Sequence, residues 1–339
     1  MKEFIQKLVE KQDLTEEESR RAMQMIMSGK ATDAQIAGFL IALRMKGETP
    51  EEIAEFAGVM REFSRKIEPR IEPLVDVCGT GGDRINTFNI STTAMFIVSA
   101  SGIPVAKHGN RAVSSRCGSA DVLEELGINL NLEPEKIREG IEKIGIGFMF
   151  APLHHSAMKY VMPARRELGV RTVFNILGPL TNPANASAQL MGVFDPDLTE
   201  KMAEVFRLLK LKSAIVAYGE PGLDELSTLG KTKISELRDG KVRTYFVRPG
   251  DFGLSKAKAE DIAGGSAREN ARILRDILSG EETGARRDIT LLNSAAGIVV
   301  GGVADNLKEG YEIARDVLDS GKAYKKLEEF IEFAKKKKK

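Results

Sequence analysis

From residue 73 onward the chain alternates short apolar runs with segments of helical length, and glycine sits at most of the joints. PLVDVCG (73–79) reads as a strand entering a glycine-rich turn, NISTTAMFIVSASG (89–102) as a helix, IPVAKHG (103–109) as a second strand and GSADVLEELG (118–127) as a second helix. IGFMF (146–150), AQLMGVF (188–194) and SAIVAYG (213–219) are further buried-strand candidates, with the helix TEKMAEVFRLLK (199–210) between the last two. Strands separated by helices cannot close as hairpins, so they demand a mainly parallel sheet covered on both faces. In such α/β folds, ligands bind beyond the carboxyl ends of the strands. Residues 230–255 read as antiparallel, with a turn at Asp239-Gly240, and residues 265–334 return to helix.

The first third is different. Thr15 with Glu18, Thr32 with Gln35 and Thr49 with Glu52 have the spacing of capping boxes, and Pro50 occupies a first helical position. Apolar residues recur at helical spacing through ATDAQIAGFLIALRMKG and EEIAEFAGVMREF. A small helical bundle ending near Ile67 is expected, followed by EPRIEP (68–73) as a linker or hinge. The expected division is a helical domain over 1–69 and an α/β domain over 70–339.

Lys plus Arg is 50 and Asp plus Glu 49, a net charge of +1 that speaks against nucleic-acid binding by bulk charge. The lysine run 335–339 reads as a solvated tail. No apolar run has the length of a membrane span and no signal peptide is evident, so a cytoplasmic protein is expected. Cys78 and Cys117 make no disulfide framework and read as small packing residues.

Four stretches carry chemistry. DVCGTGGD (76–83) places Gly79, Gly81 and Gly82 after a strand and shortly before a helix, a plausible phosphate cradle. It lacks the Lys-Ser/Thr of a Walker loop and the spacing of the dinucleotide fingerprint, and a plain tight turn is the alternative. Asn89, Ser91 and Thr92 open the next helix and can cap it or offer oxygens to a phosphate or magnesium. KHGNR (107–111) follows the second strand and should reach the same sheet edge; Lys107 and Arg111 are anion candidates, and Ser115 and Ser119 follow. Asp224 and Glu225 are adjacent carboxylates just beyond another strand, suited to magnesium beside a phosphate site or simply an acidic turn.

Together these stretches resemble the anthranilate phosphoribosyltransferases. The likeness lies in GTGGD (79–83), KHGNRAVSSRCGSADVLEELG (107–127), FNILGPLTNPA (174–184), QLMGVF (189–194) and YGEPGLDE (218–225), in order along nearly the whole chain. The resemblance implies a segment around 165–185 that returns to the helical domain, and a homodimer formed through that domain. It implies phosphoribosyl pyrophosphate held by Gly79, Gly82, Asp83, Thr87, Asn89, Ser91, Thr92, Lys107 and Ser119. It implies anthranilate met by Gly79, Asn110 and Arg165, with His108 and His155 lining its route. Two Mg2+ ions are implied, at Ser91, Asp224 and Glu225. Positioning and electrostatics replace an obligatory general base, and neither nucleic acid nor a membrane is an expected partner. Arg84 stands where the family commonly has a small residue. A nucleoside phosphorylase on the same fold is the rival that KHGNR and Arg165 disfavour.

Overall fold

A computed structural model describes residues 1–82, 85–112 and 116–335. The expectations for Asp83, Arg84, Ser115 and lysines 336–339 lie outside the described residues.

The chain opens with four helices: α1 (Lys2–Val9), α2 (Glu16–Met27), α3 (Asp33–Lys46) and α4 (Pro50–Glu62). All three expected capping boxes form at the starts of α2, α3 and α4. Glu52 does more than cap: buried, it accepts from Leu14 N at 2.9 Å and from the Lys46 ammonium at 2.9 Å, tying three segments together. The apolar stripes of these helices meet around Phe39 and Phe56, whose rings pack edge to face at 6.0 Å. The same core continues through Val161, Phe174 and Leu177 to Val193, Phe206 and Val216. Helices and sheet therefore share apolar packing.

The sheet has seven strands: β1 (Val75–Gly79), β2 (Val105–Gly109), β3 (Ile146–Phe150), β4 (Ala188–Gly192), β5 (Ser213–Gly219), β6 (Thr232–Arg238) and β7 (Lys241–Val247). Their spatial order is β3-β2-β1-β4-β5-β6-β7, parallel from β3 to β5 and antiparallel beyond. The order reverses direction at β1, which lies between β2 and β4, and that crevice is the topological switch point of the sheet.

Three helices cover β1, β2 and β3: α5 (Ile90–Ala100), α6 (Ser119–Glu125) and α7 (Pro134–Ile144). Helix α5 is apolar on every side and hence buried, packed on β1 and against the later helix Ala285–Val300. At that crossing a Cβ on Gly297 would lie 2.6 Å from Val98, so glycine permits the close approach. Among the described residues no helix is long and apolar enough to cross a membrane.

Candidate active site

Because the parallel strands β1, β2 and β4 run the same way, Gly79, Gly109 and Gly192 end them on one edge. Above that edge lies a cleft of about 810 Å3. Every described residue of the expected site set lines it, including residues as far apart in sequence as Gly79, Arg165 and Glu225.

The glycine loop is pinned at both ends. Gly81 N donates to Asp224 Oδ2 at 2.7 Å, and Gly82 O accepts from Arg171 Nη2 at 2.8 Å. Both glycines have positive φ, +69° and +83°, which L side chains rarely adopt. Gly79 and Gly192 are required for space rather than φ. A Cβ on Gly79 would fall 2.2 Å from Asp224 Oδ2, and one on Gly192 would fall 1.5 Å from the Asp224 carbonyl oxygen. The acidic pair thus sits directly on the ends of β1 and β4. Burial pushes the Asp224 carboxyl above the ordinary range, opposed by the Gly81 amide and the charges of Lys107 and Arg171. Glu225 Oε1 accepts from Ser91 N at 3.1 Å in the first turn of α5.

Lys107 is almost wholly buried, its ammonium donating to Val77 O and, at 3.2 Å, to Ser91 Oγ. A buried ammonium needs compensation. One buried charge that interacts with it is Asp76, on β1, which the glycine motif includes but whose role the sequence does not reveal. Asp76 accepts from His108 N at 3.2 Å and from Asn182 Nδ2 at 2.7 Å; Asn182 Nδ2 also reaches Ala106 O at 2.8 Å. Burial pushes the Asp76 carboxyl up to about 6, against the pull of Lys107. The sign follows. At acid pH both folded and unfolded chains hold the Asp76 proton. As pH rises from about 4 to about 6, only the unfolded chain releases it, and this carboxyl's contribution to stability is lost, about 3 kcal/mol for a shift of about two units. Asp76→Asn should therefore flatten urea-measured stability between pH 4 and pH 6 relative to the parent. An undiminished slope would show that another group carries it.

Two of the expected residues also have partners within the chain. Asn89 precedes α5 without capping it through its side chain. Its amide instead donates to Cys117 O at 3.2 Å and accepts from Asn270 Nδ2 at 2.9 Å, joining the loop before α6 to the helix Ala267–Ser279. Arg111, an anion candidate, is taken by Asp121 at 3.0 Å and Glu124 at 2.8 Å, both on α6, where an i,i+3 acidic pair meets it. Ser119 Oγ and Ala120 N both hold Asn110 O, fixing the turn that carries Asn110. Both cysteines are buried; desolvation pushes the Cys117 thiol up to about 11 and the Cys78 thiol well above its ordinary value, which suits packing rather than nucleophilic roles.

Also lining the cleft, His108 and His155 pack with ring centroids 5.0 Å apart and planes tilted by 57°. Burial, with His154 beside it, pushes His155 down to about 4; burial, with His155 and His154 nearby, pushes His108 well below its ordinary value, so this wall is neutral at pH 7. Arg165, on the helix Met162–Leu168, lies with its guanidinium over the Phe174 ring at 5.6 Å. It has no ion pair among the described residues, and burial pushes its pKa down. The cleft thus offers an anion-holding floor, an aromatic-sized neutral wall and, at Arg165, a cation with no ion pair among the described residues.

Comparison with known proteins agrees with this geometry. A glycosyl transferase family helical bundle domain matches residues 2–64, and a glycosyl transferase family a/b domain matches residues 71–324. An anthranilate phosphoribosyltransferase from Acetivibrio thermocellus is 53% identical over 98% of this chain and 96% of its own. The crystal structure of the Thermus thermophilus anthranilate phosphoribosyltransferase superposes with a TM-score of 0.93 at 45% identity, covering 98% of this chain and 99% of that one. The Saccharomyces cerevisiae enzyme in complex with PRPP and Mg superposes with a TM-score of 0.89 at 29% identity, covering 98% and 97%.

Proposed function

The chain belongs to the anthranilate phosphoribosyltransferase family, and from that premise we propose how its own residues divide the family's reaction. The protein transfers the phosphoribosyl group of phosphoribosyl pyrophosphate to the amine of anthranilate, releasing pyrophosphate. The observation that carries the assignment of sites is the pairing, in one cleft, of a pinned glycine loop beside two carboxylates with an otherwise unpaired arginine at the rim.

The glycine loop, the first turn of α5 and Lys107 hold the sugar pyrophosphate. Backbone N–H groups and a helix N-terminus favour anions, and Lys107 adds a fixed charge. The donor set fits magnesium: two carboxylates with the Ser91 hydroxyl beside them, the phosphate oxygens completing the shell. A magnesium-binding enzyme is supported by the yeast complex; two ions, held by Ser91, Asp224 and Glu225, belong to this proposal. When bound, the metal supplies positive charge against the pyrophosphate oxygens. Arg165 orients anthranilate by its carboxylate, and neutral His108 and His155 leave that carboxylate no competing cation on the wall. The solved complex of the yeast enzyme with 4-fluoroanthranilate supports an aromatic acceptor of this kind.

The C1–oxygen bond of the sugar breaks with its electron pair passing to the departing pyrophosphate. The lone pair of the amine forms the C1–nitrogen bond, and the amine proton passes to solvent. An aromatic amine is neutral and nucleophilic at pH 7, so alignment and charge compensation are the work of the site. The division into a helical domain over 1–69 with the 165–185 segment joined to it, and an α/β domain over 70–339, is part of the same reading, supported by the packing of Phe174 and Leu177 among the first helices. So are a cytoplasmic location and a homodimer through the helical domain, on which Val9 and Met45 stand exposed. Loss of anthranilate fluorescence should require enzyme, phosphoribosyl pyrophosphate and magnesium together; phosphorolysis of a nucleoside in its place would return the rival reading.

A further inference from the structure

Arg171 has no place in the expected site set, yet it stands in the cleft. Its Nη2 donates to Gly82 O at 2.8 Å, and its guanidinium lies 4.0 Å over the ring of Phe194, just beyond β4 at the switch point. The approach is close: a Cβ at Gly82 would lie 2.6 Å from Arg171 Nη2. The backbone of Arg171 is held in turn: Arg44, on α3, donates to Arg171 O. The charge of Arg171 also reaches Asp224. A guanidinium carries five donors and the Gly82 carbonyl uses one. No ion pair takes the rest among the described residues, and the side chain is exposed to the cleft.

We propose that Arg171 contacts the leaving pyrophosphate. This rests on the reading of the glycine loop as the pyrophosphate site. The stacked, planar fork is suited to two phosphate oxygens at once, as a lysine is not. As the C1–oxygen bond breaks, the electron pair adds charge to the pyrophosphate oxygen, and Arg171 stabilises that charge while it departs. Because the residue is fixed by Arg44 of α3, the contact links the pyrophosphate to the helical part of the chain.

The alternative is a latch that only holds Gly82 O. Calorimetric titration of magnesium pyrophosphate into the parent, Arg171→Ala and Arg171→Gln separates the two. Glutamine keeps a neutral donor for Gly82 O and removes the charge. The proposal expects both variants to bind pyrophosphate at least about tenfold more weakly, with Arg171→Lys intermediate, and expects guanidinium ion to restore part of the turnover of Arg171→Ala. Parent-like binding by Arg171→Gln overturns it in favour of the latch, as does a turnover loss in Arg171→Ala that guanidinium leaves unchanged. A parent that fails to bind magnesium pyrophosphate would overturn the reading of the glycine loop itself, a result distinct from either.

Discussion

Asp224→Asn combined with Glu225→Gln will lower kcat/KM by at least about a thousandfold while leaving the protein at least as resistant to heat as the parent. The loss of activity follows from the chemistry. Removing the carboxylates proposed to hold the metal would forfeit charge stabilisation worth several kcal/mol, and about 4 kcal/mol is a thousandfold. The retained stability follows from the structure. Burial already pushes the Asp224 carboxyl above its ordinary range, so its ionised form is a cost to the fold. Asparagine keeps an oxygen for Gly81 N, the bond that shapes the glycine loop. Steady-state kinetics beside a melting scan makes the check. A variant that lost activity only in proportion to a lower Tm would show that the pair is structural.

Gly192→Ala is expected to damage both fold and activity. The new methyl group would lie 1.5 Å from the Asp224 carbonyl oxygen and 2.2 Å from its carbonyl carbon, and backbone cannot swing aside as the end of a side chain can. Either β4 or the Asp224 turn must shift. The expected loss is at least about 3 kcal/mol, at the high end for one added methyl because the strands on both sides of β4 resist movement. Activity of the surviving folded fraction should fall at least about tenfold, since any displacement of Asp224 drags the Gly81 anchor with it. Parent-like urea unfolding would show that the turn yields at little cost. An alanine at Gly178, where nothing lies within 4 Å of an added Cβ, is the natural control.

The contrast between those two glycines shows what the sequence could tell. Gly81 and Gly82 announce themselves as a cluster after a strand. Gly192 looks like any other residue of AQLMGVF, and only the fold brings it against Asp224. Strand–helix alternation was enough to place Lys107 and the glycine loop on one sheet edge, because parallel strands must end together. The three capping boxes were legible because capping is local. Arg111 shows a related point: KHGNR looks like one anion site, and only the fold reveals that α6 also presents Asp121 and Glu124 to that arginine. Asn89 likewise looks like a helix cap and serves instead as a bridge to Cys117 and Asn270, the latter 181 residues away. Asp76 and Asn182 form a buried pair across 106 residues of chain, and Arg171 meets Gly82 across 89. No spacing rule reaches such distances; resemblance can supply a residue's role, and geometry alone supplies its neighbours.

The central claim is that one cleft keeps its two substrates on separate anchors, with the sugar pyrophosphate on the glycine loop and anthranilate on Arg165. Both KM values of Arg165→Ala test it most directly. Losing one charge-assisted pair should raise the KM for anthranilate by about thirty- to three-hundredfold. The KM for phosphoribosyl pyrophosphate should stay within about twofold of the parent, since Arg165 touches none of the groups that pin the loop. A parent-like KM for anthranilate, or an equal rise in both constants, would contradict the account.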